Sequence, residues 1–344
     1  MRPAHEVAAH LLVLANDLRD PVIVLEAHRA LGVTLVDLGR FDEAVEHLDK
    51  ASALYESAGI RSHSSFAGQD PKVVSDCFAA RALWALGYPD QALERVERAL
   101  SLAQELSHVE TLVIAHHFAA HLHQLRGEAP RAQERSETVV ALGEEYGLEL
   151  WVAFGNMNRG WAAVEQGHVE EGIDGLRRGL GAYEATGAKL WHAHFLGLLA
   201  QGLAKADRVE EGITEVTQAL ALVQETGENC AAAELHRILG ELLIMRATEG
   251  DERMTQAEGC FKQAVTIARQ QHGKSWELAA VTSLGRLYRR QGKRGEARRI
   301  VRETYEWFKE GFETADLQAA KALLIELSAN TARPALDGHP PASR

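Results

Sequence analysis

Histidine is the residue type whose spacing first raises the question of chemistry. The chain has sixteen, and His116, His117, His121 and His123 crowd one stretch, with His192 and His194 further on. His117 and His121 are four apart and share one face of a helix, a spacing that can grip a divalent metal. No third ligand stands at a telling distance and few carboxylates lie nearby, so these histidines read as polar groove lining and no metal is expected. Gly273-Lys274-Ser275 matches only the end of a phosphate-binding loop, because Ala268 stands where the first glycine is needed. Glu170-Glu171 and Glu210-Glu211 are paired acids, but both pairs open a helix, where carboxylates meet the positive end of its dipole. Nothing resembles a nucleophile elbow. The expectation is a chain with no catalytic residue and no cofactor.

Composition narrows the partners. A net charge of −12 argues against nucleic acid, which selects a basic face. The one basic run, Arg289-Arg290 through Lys293-Arg294 to Arg298-Arg299, reads as a solvated surface. Cys77, Cys230 and Cys260 are odd in number and far apart, which fits a reducing compartment rather than a disulfide or zinc framework. No apolar run is long enough for a membrane span, and Glu6 and His10 interrupt the N-terminal stretch, making it a poor signal peptide. A cytoplasmic location, away from membranes, is therefore expected.

The elements that must position these residues are helices. No proline stands between Pro130 and Pro334, and the intervening sequence is rich in Ala, Leu, Glu and Arg. Strand alternation is absent. Small residues recur every forty positions: Ala80, Ala120, Gly160, Ala200 and Gly240 in one series, Ala92, Ala132, Gly172 and Gly212 in a second. Ala99, Val139, Gly179 and Ala219 form a third, and the turns carry Gly87, Gly127 and Gly167. An insertion near 247–252 shifts the last copies. Two antiparallel helices per unit explain the pattern: the small residues mark crossings, and Leu48, Val96, Leu176, Val216, Phe261 and Val301 fill the space between pairs.

The run Leu31-Gly32, Gly39-Arg40-Phe41 and Ala44, with its downstream small residues, resembles the tetratricopeptide repeat. The resemblance implies an all-α, right-handed solenoid of about seven helix-turn-helix repeats with a period near forty. The units start near residues 25, 73, 113, 153, 193, 233 and 278. We expect an N-terminal helix in 1–24, repeats over 25–311, a capping helix in 312–329 and a disordered tail over 330–344. The stretches Asp70-Pro71, Leu83-Trp84, Gly87-Tyr88-Pro89-Asp90-Gln91-Ala92, Ala233-Glu234-Leu235-His236-Arg237 and Trp307-Phe308 are similar to one particular array. It is the C-terminal repeat region of bacterial multidomain proteins that join a class III cyclase, an AAA-type ATPase and tetratricopeptide repeats, with repeats of the maltose-regulator type. The cyclase and ATPase portions themselves are absent from this sequence.

In such a solenoid the first helix of each unit faces the concave side. The inward positions are Arg29, Arg81, Trp84, His117, His121, Gln124, Met157, Trp161, His194, Gln201, Glu234, Arg237, Glu241 and Arg286. Arg and Trp are the side chains that dominate recognition surfaces. The carboxylate clamp of chaperone-tail binders is not matched. The expectation is a non-catalytic protein- or peptide-binding module in signalling, its groove taking a segment of a partner or of an adjacent ATPase or cyclase domain. A stand-alone small-molecule or peptide sensor, and an enzyme with a His-lined site, are the alternatives. The arginines and histidines lead us to expect an acidic partner segment, bound more tightly as pH falls towards 6, with little change in fold stability.

Overall fold

The computed structural model describes residues 1–59, 68–248 and 251–329. The expected tail and part of the inserted loop, including Glu249, lie outside them. Helix α1 (Arg2–Leu18) precedes seven antiparallel pairs. These are α2 (Pro21–Asp37) with α3 (Phe41–Ser57), α4 (Pro71–Leu86) with α5 (Pro89–Leu106), and α6 (Val109–Arg126) with α7 (Ala129–Tyr146). Then come α8 (Glu149–Glu165) with α9 (Val169–Ala185), α10 (His192–Lys205) with α11 (Val209–Thr226), and α12 (Ala232–Met245) with α13 (Glu252–Gln270). Finally α14 (Lys274–Arg290) pairs with α15 (Arg294–Tyr305), and α16 (Ala315–Ala329) lies against both. Among the described residues there is no strand, and no helix is long and apolar enough to cross a membrane.

Local chemistry sets the starts and stops. Asp20 and Asp70 each precede a proline, and their carboxylates accept from the second and third backbone N–H groups of α2 and α4. The crossings need small residues because backbone meets backbone. A Cβ on Gly160 would sit 2.8 Å from the Gly172 carbonyl oxygen, and one on Gly172 would sit 2.5 Å from that of Gly160. Leu48, Val96, Leu176, Val216, Phe261 and Val301 are all fully buried between the pairs.

The first helices touch in series, α2 to α4 and onward to α14, so they form the inner wall of the solenoid. The wall then closes on itself, because α14 reaches back against α4. Three seams hold the closure. The backbone N–H groups of Asn229 and Cys230 donate to the Asp37 carbonyl oxygen at 2.8 and 3.2 Å, satisfying the free C-terminal end of α2. The Ser275 hydroxyl donates to the Trp84 carbonyl oxygen at 2.5 Å. Tyr88 offers α5 no side-chain cap, and Glu310 supplies one from the far end of the chain, accepting from Asp90 and Gln91 N–H at 3.0 and 3.1 Å. Gly311, at φ +75°, lies so near Pro89 that an added Cβ would come within 2.0 Å of the ring. Helical periodicity dictates the pairs. Closure depends on residues some 190 to 220 positions apart in the chain.

Candidate functional site

Closure divides the inner wall into a sealed part and an open part. The sealed part forms around Arg81 of α4. Its guanidinium donates to the Asp37 carboxylate at 3.3 Å and to the Cys230 sulfur at 3.1 Å, and lies 4.7 Å from the centre of the Trp191 ring. The Trp191 indole N–H also donates to Asp37, at 3.0 Å, and its backbone N–H is held by the Glu228 carboxylate at 2.9 and 3.0 Å. Trp191 stands in left-handed backbone at φ 65°, a conformation a bulky residue adopts only when its surroundings impose it. All five residues are buried. Burial pushes the Asp37 carboxyl up despite Arg81, and pushes Glu228 up to about 7, with Asp37 adding repulsion.

The histidines stack on this plug. The His117 ring lies 13° from coplanar with Trp191 at 5.5 Å, and His121 meets His194 edge-on at 5.0 Å. Desolvation lowers His117 and His194 to about 3 and holds His121 well below its ordinary value, with Arg81 adding repulsion to each. They are neutral throughout the physiological range. That corrects the expected acid-strengthened binding: these imidazoles gain no charge as pH falls towards 6. It also corrects the expected indifference of the fold to acid, since the unfolded chain takes up protons that the folded histidines refuse. Among the described residues no third ligand joins His117 and His121. Among the described residues only Asp37, Glu228 and Cys230 gather within metal-ligand reach, and the Arg81 guanidinium already bonds two of the three.

The open part is a cavity of about 170 Å³ at the axial mouth. Trp84, Trp161 and Trp276 line it, together with Gln124, His194, Gln201, Glu234, Arg237, Glu165 and Asp316. Trp84 and Trp276 meet edge to face at 4.6 Å. A shallower hollow of about 330 Å³ adjoins it, sharing Gln201, Arg237 and Glu165 and adding Lys205 and Glu241. Arg237 forks between the Glu234 carboxylate at 2.6 Å and Glu241 at 2.9 Å, and Lys205 pairs with Glu165 at 2.6 Å. The His194 Nε2 and the Gln124 Oε1 are buried with no hydrogen-bond partner among the described residues.

The sequence-derived positions therefore separate. Trp84, Gln124, Trp161, His194, Gln201, Glu234 and Arg237 meet in the cavity, with Glu241 beside it. Arg81, His117 and His121 belong to the sealed plug. Met157 is fully buried, and its side chain occupies the space beside Gly179. Arg29 pairs with Glu26 on α2, and Arg286 is exposed on α14. Sequence reasoning missed Asp37, Trp191, Glu228, Trp276 and Asp316. One signal pointed to Asp37: an acid in the last turn of a helix opposes the dipole and needs a tertiary partner. The expected acidic partner also loses its basis, because Arg81 and Arg237 are already committed to carboxylates.

Models of the tetratricopeptide repeat match residues 247–310, and residues 25–50 and 73–98. Those segments are recognised as tetratricopeptide repeats, and the array as a whole has the fold of a tetratricopeptide-like helical solenoid. An uncharacterized protein of Rhizobium meliloti (strain 1021) is 24% identical over 271 residues, which make up 78% of this chain and 26% of that protein. The solenoid thus spans about a quarter of the length of that relative. Among solved structures, a Rap protein complexed with competence and sporulation factor is 15% identical with a TM-score of 0.60, covering 88% of this chain and 80% of its own. NprR in complex with its cognate peptide NprX is 13% identical with a TM-score of 0.57, covering 87% and 88%. The apo form of the quorum sensor NprR from B. thuringiensis is 14% identical with a TM-score of 0.55, covering 89% and 83%. The likeness is one of fold.

Proposed function

We propose that this solenoid is a non-catalytic sensor module that binds a peptide or an extended protein segment at its axial mouth. One observation carries the reading. The cavity is walled by three tryptophans and holds buried polar atoms without partners, and unmet hydrogen-bonding groups of this kind are costly unless a ligand completes them. Aromatic walls with a few convergent polar groups are the usual makeup of a binding pocket. NprR, of the same fold, binds a peptide, which supports the assignment by analogy. The cavity also lies on the closure seam, since Trp84 and Trp276 come from opposite sides of it, so occupancy and closure are coupled.

Association with a cyclase or ATPase is the finer part of the proposal. It rests on the resemblance of the repeats and on the greater length of the Rhizobium relative. Reading frames around the gene test that part. The His-lined enzyme has no supporting geometry, because His117 and His121 are buried and neutral against an arginine. For the binding reading, we expect a fluorescence or calorimetric titration against a random-sequence peptide library to find ligands. Trp161→Ala should weaken them about tenfold or more, and Arg178→Ala, on the exposed face of α9, should leave them unchanged. Equal loss in both variants, or no ligand at all, would overturn it.

A further inference from the structure

The charges at the mouth do not balance. Glu165 is paired with Lys205, and Glu234 and Glu241 share Arg237. Asp316, in the first turn of α16, lines the same cavity and makes neither an ion pair nor a hydrogen bond with any described residue. Arg237 and the solvent-exposed Arg286, which makes no ion pair with a described residue, both favour its charged form, but desolvation and the neighbouring carboxylates outweigh them. A helix N-terminus welcomes an acid, but that alone does not explain a carboxylate facing two others across a partly enclosed space. The same cavity is lined by the tryptophans and by His194, a residue only 6% exposed whose Nε2 has no hydrogen-bond partner among the described residues. His194 is neutral, so a ring nitrogen can accept a hydrogen bond without opposing a positive charge.

We propose that the axial cavity takes a cationic side chain of the bound segment, an arginine or a lysine. Its charge meets the Asp316 carboxylate and its stem lies on Trp161 and Trp276. The inference rests on the peptide-binding reading above and specifies what that site selects. Its physics is that of two attractions acting in one desolvated place. A carboxylate supplies charge, and the faces of tryptophan attract a cation through their negative π-clouds. The aliphatic stem gains by burial against the same rings. No neutral or acidic side chain satisfies both. An acidic one would add a fourth carboxylate around Arg237.

Four capped pentapeptides, alanine with a central arginine, lysine, norleucine or glutamate, form the probe set. Binding is read by tryptophan fluorescence and by calorimetry at pH 7.5 in low salt. We expect the arginine and lysine peptides to bind saturably and the norleucine and glutamate peptides at least tenfold more weakly, with an affinity for the basic peptides that falls as salt is raised. A stronger arginine than lysine arm identifies bidentate hydrogen bonding, and the reverse order identifies a point charge. Asp316→Asn should weaken the basic peptides at least fivefold while leaving the norleucine peptide unaffected. Asp316→Lys should transfer preference to the glutamate peptide, with circular dichroism showing both variants folded. Equal binding of all four peptides, or a preference for glutamate in the wild type, would overturn the inference and leave the peptide-binding reading standing. If none binds while library peptides lacking basic residues do, the cationic pocket is again refuted. If nothing binds at all, both readings fail.

Discussion

The plug around Arg81 and the mouth around Arg237 are built from the same parts. Each centres on an arginine from the first helix of a repeat, each sets it among carboxylates, and each has tryptophan nearby. The difference lies in what closure does to them. At the plug the loop carrying Glu228 and Cys230 folds down on the end of α2, and every charge finds a partner in the chain itself. At the mouth the wall stops short and leaves a void with one carboxylate to spare. Repeat position alone therefore does not make a recognition surface. Equivalent positions become scaffold where the superhelix covers them and cavity wall where it does not.

The largest expected effect tests the plug. Arg81→Ala strands Asp37 among buried groups and should cost about 3–5 kcal/mol in urea unfolding, because the orphaned charge has no solvent to turn to. Arg237→Ala, beside an open cavity that water can enter, should cost markedly less. Equal costs would break the contrast between the regions. A packing variant comes next. Gly160→Leu drives a side chain into the backbone of α9 and should destabilise the array by about 1–3 kcal/mol, or by more if α8 and α9 separate. A loss below about 0.5 kcal/mol, the range of an ordinary surface change, would mean that the crossing is looser than the structure shows.

The pH dependence sharpens the comparison, and its sign differs by group. His117 and His194 titrate near 3 when folded and near 6.5 when unfolded. The stability tied to them is complete above pH 6.5 and is lost as pH falls towards 3, at up to about 1.4 kcal/mol per pH unit for each. Glu228 opposes this: raised from 4.5 to about 7, its contribution is complete below 4.5 and is lost as pH rises to 7. His121, also lowered, adds to the histidine side. Stability should therefore fall between pH 6.5 and 5, less steeply in His117→Leu, and Glu228→Gln should steepen the fall by removing the opposing group. Urea midpoints across that range decide the matter, and a flat profile in the wild type would refute the buried neutral histidines. The smallest effect belongs to the mouth. Asp316 is raised to about 6, by desolvation and then by Glu234 and Glu241, against Arg237 and Arg286. Below pH 6 it is neutral, so affinity for a basic peptide should drop severalfold between pH 7 and 5.5, and Asp316→Asn should remove that dependence.

Local residue choices made much of this molecule legible. The forty-residue recurrence located the helix crossings, because a crossing tolerates only small side chains and the same register repeats in each unit. Leu48, Val96 and Phe261 were identifiable as interior by helical spacing alone. Inward-facing positions were legible too, and eight of those named, from Trp84 to Glu241, gather at the mouth or beside it. Which of them stay open was not, because covering is an event between distant repeats. Asp37 meets Trp191 across 154 positions, and Asp90 meets Glu310 across 220, and no local pattern encodes such a meeting. Histidine charge was misjudged for the same reason: a sequence shows sixteen imidazoles, but only burial decides which of them can take a proton. The sequence by itself determined the helices, their pairing and their inner faces, since these follow from short-range periodicity and side-chain size. Only the tertiary structure decided which inner faces became plug and which became cavity, since desolvation and charge balance exist only once remote parts of the chain have met.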